Sequence, residues 1–234
     1  MKTSRPKPSL SPAPPPRRRI LVVDDHPFMR AGLAQLINQQ ADLEVCGEAG
    51  NAAEAAREVT RLKPDLILTD LTMPDRGGLE FIKDLQAAGA SPPVLVVSMH
   101  DEAIYAERVL RAGARGYIMK EAGGESLLGA IRQVLRGEAY VSPKLSARLL
   151  ENLTGRQPRG SSSPIKQLTD REFEIFQLIG QGKGTRDIAE QLNLSPKTVD
   201  VHRGNIKTKL ALKDATALVR QAVRWVETQG RDPL

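Results

Sequence analysis

The chain has 234 residues, enough for two domains with real cores, and at 40% hydrophobic but only 3% aromatic it must pack mainly aliphatic side chains. Its single cysteine, Cys46, excludes an intramolecular disulfide framework and fits a reducing compartment. No stretch approaches the roughly 20 apolar residues of a membrane span. The net charge of +6 is divided: residues 1–19 carry +6, 20–140 carry −6, 141–155 carry +1 and 156–234 carry +5. An acidic middle beside a basic end implies two domains, the basic one facing a polyanion.

In chain order, "MKTSRPKPSLSPAPPPRRR" is Pro-rich, basic and unable to build a core, so residues 1–18 are expected to form a disordered or polyproline II arm. Its basic start runs into prolines rather than an apolar segment, so no secretory signal is expected and the protein is expected to be cytoplasmic. From Ile20, short apolar runs alternate with helical periods. Strands are expected over 20–24, 43–49, 65–70, 92–98 and 116–119. Helices are expected between them, over 78–88 and 101–112 among others, with a last one near 124–136. That alternation implies parallel strands joined by right-handed crossovers, a doubly wound α/β domain over 19–138. Its ligand site should lie at the carboxyl ends of the strands.

Those ends bear chemistry. The first gives Asp24 and Asp25, the third Asp70, the fourth Ser98, and Lys120 follows the fifth. Three crowded carboxylates repel one another unless a cation joins them. A hard divalent ion such as Mg²⁺ meets that need through one or two carboxylates and its retained waters. Such a crevice suits phosphoryl chemistry: a carboxylate attacks phosphorus, while metal and lysine neutralise the oxygens.

"VVDDHP", "LILTDLTMPDRGG", "VLVVSMHD" and "GARGYIMKEA" resemble the signature segments of bacterial response-regulator receiver domains, over about residues 18–138. The resemblance implies that Asp70 is the phosphoacceptor and a sensor histidine kinase the donor. It implies Mg²⁺ held by Asp25, Asp70 and the backbone carbonyl of Thr72, with Asp24 acting through water. Ser98 and Tyr117 become the switch pair, and Lys120 the phosphoryl contact. Glu121 stands where many receivers carry proline, so a cis peptide there would cost about 3 kcal/mol and is not expected.

"SPKLSARLLENL" (142–153) reads as a connecting helix and "TGRQPRGSSSPIKQ" (154–167) as a linker, so that 139–167 joins the two domains. Helical signals then resume without strands. Thr169 and Glu172 have capping-box spacing, with Leu168 and Phe173 at the staple positions. A second helix is expected over 185–192, ended by Asn193 in the left-handed conformation. A third starts at the cap Ser195 and Pro196. Two helices with so short a turn make a helix-turn-helix.

On the third helix, Val199, Ile206 and Leu210 form the core stripe. Lys197, Asp200, Val201, Gly204 and Thr208 lie opposite, with His202, Arg203, Lys207 and Lys209 between the faces. That is the pattern of a recognition helix on double-stranded DNA. Segment 168–210 closely resembles the LuxR-type DNA-binding domain of NarL/FixJ response regulators, with the domain running over 168–234. "GTR" at 184–186 departs from the family's usual sequence at the start of the second helix, and Gly204 adds no side chain to the reading face. The expected DNA-contacting residues are Lys197, Thr198, Val201, His202, Arg203, Lys207, Thr208 and Lys209. On the final helix, 214–228, Leu218, Ala222 and Val226 form a stripe that either closes the domain core or, as the resemblance favours, pairs two copies on DNA.

The whole then reads as a phosphorylation-gated transcription factor without a catalytic residue of its own, needing no membrane. One alternative is a haloacid-dehalogenase-like phosphohydrolase, which would want an Asp-x-Asp pair where this chain has adjacent Asp24 and Asp25. The other is a regulator that binds DNA without phosphorylation.

Overall fold

In the computed structural model, residues 16–73, 77–89, 91–147, 164–192 and 194–228 are described. The arm up to residue 15, most of the linker and Asn193 lie outside them. The first part is a five-stranded parallel sheet: β1 (Arg18–Val23), β2 (Leu43–Ala49), β3 (Leu66–Thr69), β4 (Val94–Ser98) and β5 (Gly116–Met119). The strands stand in the order β2-β1-β3-β4-β5. The first crossover steps outward to β2 and later ones run the other way, so the order reverses at β1 and β3. That reversal opens a crevice at the carboxyl edge.

Helices α1 (Pro27–Asn38) and α5 (Gly124–Leu135) cover one face, burying Leu33, Ile37, Leu127 and Ile131 against Ile20, Val22, Leu68 and Leu95. Helices α2 (Ala52–Leu62), α3 (Gly78–Ala87) and α4 (Glu102–Arg111) cover the other, burying Ala55, Phe81 and Val109 against Leu21, Ile67 and Val96. Strand β3 is buried at every position, as expected of a central strand with helices on both faces. Past α5 the chain returns to pair with β5: Tyr140 accepts a bond from Tyr117 N at 3.0 Å and donates one to Arg115 O at 2.9 Å. The helix expected at 142–153 is present over 143–147, and the rest of it lies outside the described residues.

The second part is helical, with α6 (Asp170–Gly180), α7 (Thr185–Gln191), α8 (Pro196–Lys209) and α9 (Ala215–Thr228). The capping box at α6 forms in both directions: Glu172 N donates to Thr169 Oγ1 at 3.3 Å, and Thr169 N to Glu172 Oε2 at 2.8 Å. Despite the unusual "GTR" sequence, α7 starts cleanly, because Asp187 reaches back to accept from Gly184 N at 3.1 Å. Ser195 caps α8 by accepting from Thr198 N at 3.0 Å. On α9, Leu218 and Ala222 are fully buried and Val226 packs beside them, so the stripe closes the domain core.

The two parts share one hydrophobic cluster, joined where Tyr105 of α4 meets Phe173 of α6. Ion pairs frame that contact. Asp170 accepts from Lys83 at 2.6 Å and Arg108 at 3.0 Å, and Arg171 reaches Glu80 at 3.3 Å. Burial alone would raise the Asp170 pKa, but the two cations outweigh it and hold the carboxyl below its usual range. The helix-turn-helix is thereby docked by α6 against α3 and α4.

At one point helix and site meet too closely for any side chain. A Cβ on Gly78 would lie 2.4 Å from Asp70 O and 2.7 Å from Leu71 Cα, both backbone atoms. Gly78→Ala is therefore expected to push α3 off the end of β3 and cost about 1–3 kcal/mol. Urea unfolding measures this, and an unchanged midpoint would show that the backbone gives way freely.

Candidate functional site

Each group at the carboxyl edge is placed by a strand end. Asp70 follows β3, and its backbone N donates to Val23 O at 2.9 Å, locking it beside the end of β1. Asp24 follows β1 and is tied in the same way to Ala49 O at 3.1 Å. Both carboxylates are almost completely buried. Lys120, at the turn after β5, reaches across β4 and donates to Asp24 Oδ2 and Asp70 Oδ2, each at 2.7 Å. The remaining oxygens accept backbone bonds, Asp70 Oδ1 from Leu71 N at 2.6 Å and Asp24 Oδ1 from His26 N at 2.8 Å. Burial works against a charged Lys120, yet the bonds to Asp24 and Asp70 prevail, and its pKa lies above that of an ordinary lysine.

Counting Asp24, Asp25, Asp70 and Lys120 leaves a charge of −2, the complement of a divalent cation. The donor set fits a metal on a further observation: Asp25 Oδ1 is buried and makes no hydrogen bond. His26 Nδ1 lies 2.7 Å from it, without hydrogen-bonding alignment. Ligand atoms of Asp24, Asp25, His26 and Asp70 all lie within 4.8 Å of one another. Hard oxygen donors of this kind suit Mg²⁺, with waters completing the shell.

The remaining site residues surround this centre. Ser98 is fully buried at the end of β4, and its Oγ accepts from His100 N at 3.3 Å. Tyr117, on β5, is turned inward and fully buried, its hydroxyl donating to His100 O at 2.6 Å. Burial pushes the Tyr117 hydroxyl pKa far up, so it stays a donor. Thr72 lies exposed just past Asp70, with its hydroxyl 3.0 Å from His100 Nε2.

Two participants escaped sequence reasoning. His26 directly follows the Asp pair, and only that adjacency signalled it. His100, two residues past Ser98, touches Thr72, Ser98 and Tyr117 at once. A lone histidine in a turn announces no such convergence.

The second surface is α8. Lys197, Asp200, Val201 and Thr208 are exposed on its outer side, Val201 at 57%, while Val199 and Ile206 are fully buried. Thr198 is half-buried and its hydroxyl bonds the Ser195 cap at 2.8 Å. Arg203 donates to Thr185 Oγ1 at 3.3 Å, bracing α8 against α7. Lys209 is tied inward to Glu172 at 2.6 Å. His202 and Lys207 lie half-buried at the flanks.

Comparison with known proteins identifies both domains. The response regulator receiver domain model matches residues 20–132, and that of the luxR family of bacterial regulatory proteins matches 166–222. The oxygen regulatory protein NreC of Staphylococcus aureus (strain bovine RF122 / ET3-1) is 40% identical over 210 residues, covering 88% of this chain and 97% of NreC. The response regulator ChrA of a heme-sensing two-component system is similar over 90% of this chain and 98% of ChrA, at 30% identity and a TM-score of 0.50. RcsB of Salmonella enterica serovar Typhimurium, solved on promoter P1flhDC with a phosphomimetic, shares the fold at 24% identity and a TM-score of 0.70, covering 89% of this chain and all of RcsB. These relatives are DNA-binding regulators rather than enzymes, which sets the phosphohydrolase alternative aside. Among the described residues, no helix is long and apolar enough to cross a membrane. The chain belongs to the NarL/FixJ-type response regulators of two-component systems, in which a receiver domain is followed by a LuxR-type helix-turn-helix domain.

Proposed function

We propose that Asp70 accepts a phosphoryl group from a sensor histidine kinase and that this changes how α8 engages DNA. The chain divides for this purpose into an arm (1–18), a receiver (19–138), a connection (139–167) and a DNA-binding domain (168–234), acting in the cytoplasm. The observation that carries the reading is Lys120 bonded to two buried carboxylates at once, beside a third whose buried oxygen has no donor.

In the transfer, a carboxylate oxygen of Asp70 attacks phosphorus, the P–N bond of the donor phosphohistidine breaks, and its electron pair returns to the imidazole. Asp25, Asp70, the Thr72 carbonyl and, through water, Asp24 would hold Mg²⁺, which when bound would supply charge neutralisation for the phosphoryl oxygens. Lys120 turns its ammonium to the same oxygens. Ser98 then turns to donate its hydroxyl to a phosphoryl oxygen, loosening the bond it accepts from His100 N, and Tyr117 readjusts its hydroxyl at His100. A regulator that ignored phosphorylation would have no need of this complete set of groups.

On DNA, Lys197, Val201 and Thr208 meet base edges, with Val201 suited to a thymine methyl. Thr198, His202, Arg203 and Lys207 serve the backbone, and Lys209 can join them only by releasing Glu172. A homodimer forms through the C-terminal helix (214–228). Because Leu218 and Ala222 are occupied in the core, the pairing face is the flanking one, where Val219 is 40% exposed and half-buried Val223 follows one turn on.

Asp70→Asn is expected to abolish labelling by acetyl phosphate with Mg²⁺; labelling that persists would overturn the assignment. Lys120→Met leaves Asp24 and Asp70 buried without their cation, at a cost of about 3 kcal/mol in metal-free urea unfolding. Added Mg²⁺ should restore part of that stability, and a midpoint indifferent to Mg²⁺ in both proteins would contradict the metal site. Arg203→Ala should weaken binding to any duplex and reduce the magnitude of the salt slope by about 1. An unchanged slope would remove its phosphate role.

A further inference from the structure

The chain has only eight aromatic residues, four Phe, three Tyr and one Trp. Five of them, with His100, form one unbroken line through the molecule. It begins at Tyr117, whose hydroxyl bonds His100 O at 2.6 Å. The His100 ring stacks on Tyr105, with centroids 4.6 Å apart and planes at 21°. Tyr105 meets Phe173 of the DNA-binding domain edge-on at 5.1 Å. Phe173 meets Trp225 of α9 at 5.2 Å, and Phe176 closes on the same indole at 5.8 Å. In a protein that packs aliphatic side chains nearly everywhere else, its rigid rings lie end to end from the phosphoryl site to the C-terminal helix.

The crossing point is specific. Tyr105 is buried, so its hydroxyl needs a partner, and that partner is the side-chain amide of Gln177, which donates to it from the other domain. The Arg108 guanidinium lies 4.6 Å above the Phe173 ring, fixing it from the receiver side. Continuity in space becomes coupling only where some element has two states. The turn 99–101 between β4 and α4 is placed for that role. Ser98 lies at one end of it, and His100 within it is bonded to Ser98, Thr72 and Tyr117 together. A phosphoryl oxygen that draws the Ser98 hydroxyl toward itself as a donor would rotate Oγ away from His100 N, lengthening that 3.3 Å bond and freeing the turn to shift. The stacked Tyr105 moves with it.

We propose that Tyr105 is a positioning residue that transmits the state of Asp70, through His100 on one side and Phe173 on the other, to Trp225 on the C-terminal helix. This rests on Asp70 being the phosphoacceptor, and it adds the route by which the signal leaves the receiver. Tyr105 touches neither phosphoryl group nor metal. Its effect is on the response to phosphorylation, not on phosphorylation itself.

The only tryptophan of the chain stands at the end of the line and reports on it directly. With the full-length protein, acetyl phosphate and Mg²⁺ should change Trp225 emission in the wild type and leave Asp70→Asn unchanged. Tyr105→Leu should still be labelled at the wild-type level, yet lose most of the emission change per labelled molecule. Tyr105→Phe, which keeps the ring, should retain it. His100→Ala breaks the same line in a surface turn rather than in the core, and should show the same loss when normalised to the labelled fraction. A full emission change in Tyr105→Leu or His100→Ala overturns the proposal. So does a loss confined to Asp170→Asn, which would route the signal through the ion pairs. An emission change in Asp70→Asn equal to that of the wild type would instead overturn the phosphoacceptor assignment beneath it.

Discussion

Everything at the functional edge depends on one ammonium group shared between two buried carboxylates. The parallel sheet delivers Asp24 and Asp70 to neighbouring strand ends, where burial makes their charge expensive. Lys120 arrives from the turn after β5 and bonds both. Breaking one bond would leave a carboxylate stranded, so the three chain segments that meet there are held together by charge as well as by packing. The same arrangement leaves an excess of negative charge beside Asp25. With the buried Asp25 Oδ1 left without a hydrogen bond, the site is electrostatically suited to a cation.

A second constraint shapes the relation between the domains. Helix α6 does three things at once: its capping box starts the DNA-binding domain, its Asp170 and Arg171 pair with the receiver, and Phe173 enters the shared core. None of these contacts uses the outer side of α8, where Lys197, Val201 and Thr208 stay exposed. Docking thus fixes the orientation of the reading helix without covering its reading face. If phosphorylation acts as proposed, it works on how the domain is held by α6 rather than on the outer side of α8. Trp225 of α9 packs on Phe173 and Phe176 of α6, so the last helix rests on the same docking helix.

Much of this was legible in the sequence, and the gaps have physical reasons. Apolar runs of strand length separated by helical periods gave all five strands, because buried parallel strands and amphipathic helices leave different periodicities. The strand order was not readable from those runs, since sequence spacing carries no record of which edge a crossover takes. The acidic cluster and Lys120 could be found because each ends a strand. The capping box at Thr169 and Glu172 was visible as spacing and formed as such. The stripe of Leu218 and Ala222 was ambiguous, because a core face and a pairing face have the same helical period; burial assigns it to the core. Tyr105 and Asp170 gave no signal at all. Each looks like an ordinary helix residue until the other domain is set against it, and His100 becomes informative only once three separate segments converge on it.

In the proposed mechanism, phosphorylation at Asp70 changes DNA binding through these contacts. The direct measurement is the affinity of the full-length protein for a duplex selected from a random pool, at one fixed salt concentration, with and without acetyl phosphate and Mg²⁺. The account expects phosphorylation to tighten wild-type binding by about fivefold or more, the lower range of typical coupling between linked sites, and to leave Asp70→Asn unaffected. Equal affinity in the labelled and unlabelled wild-type protein, or an equal gain in Asp70→Asn, would contradict it.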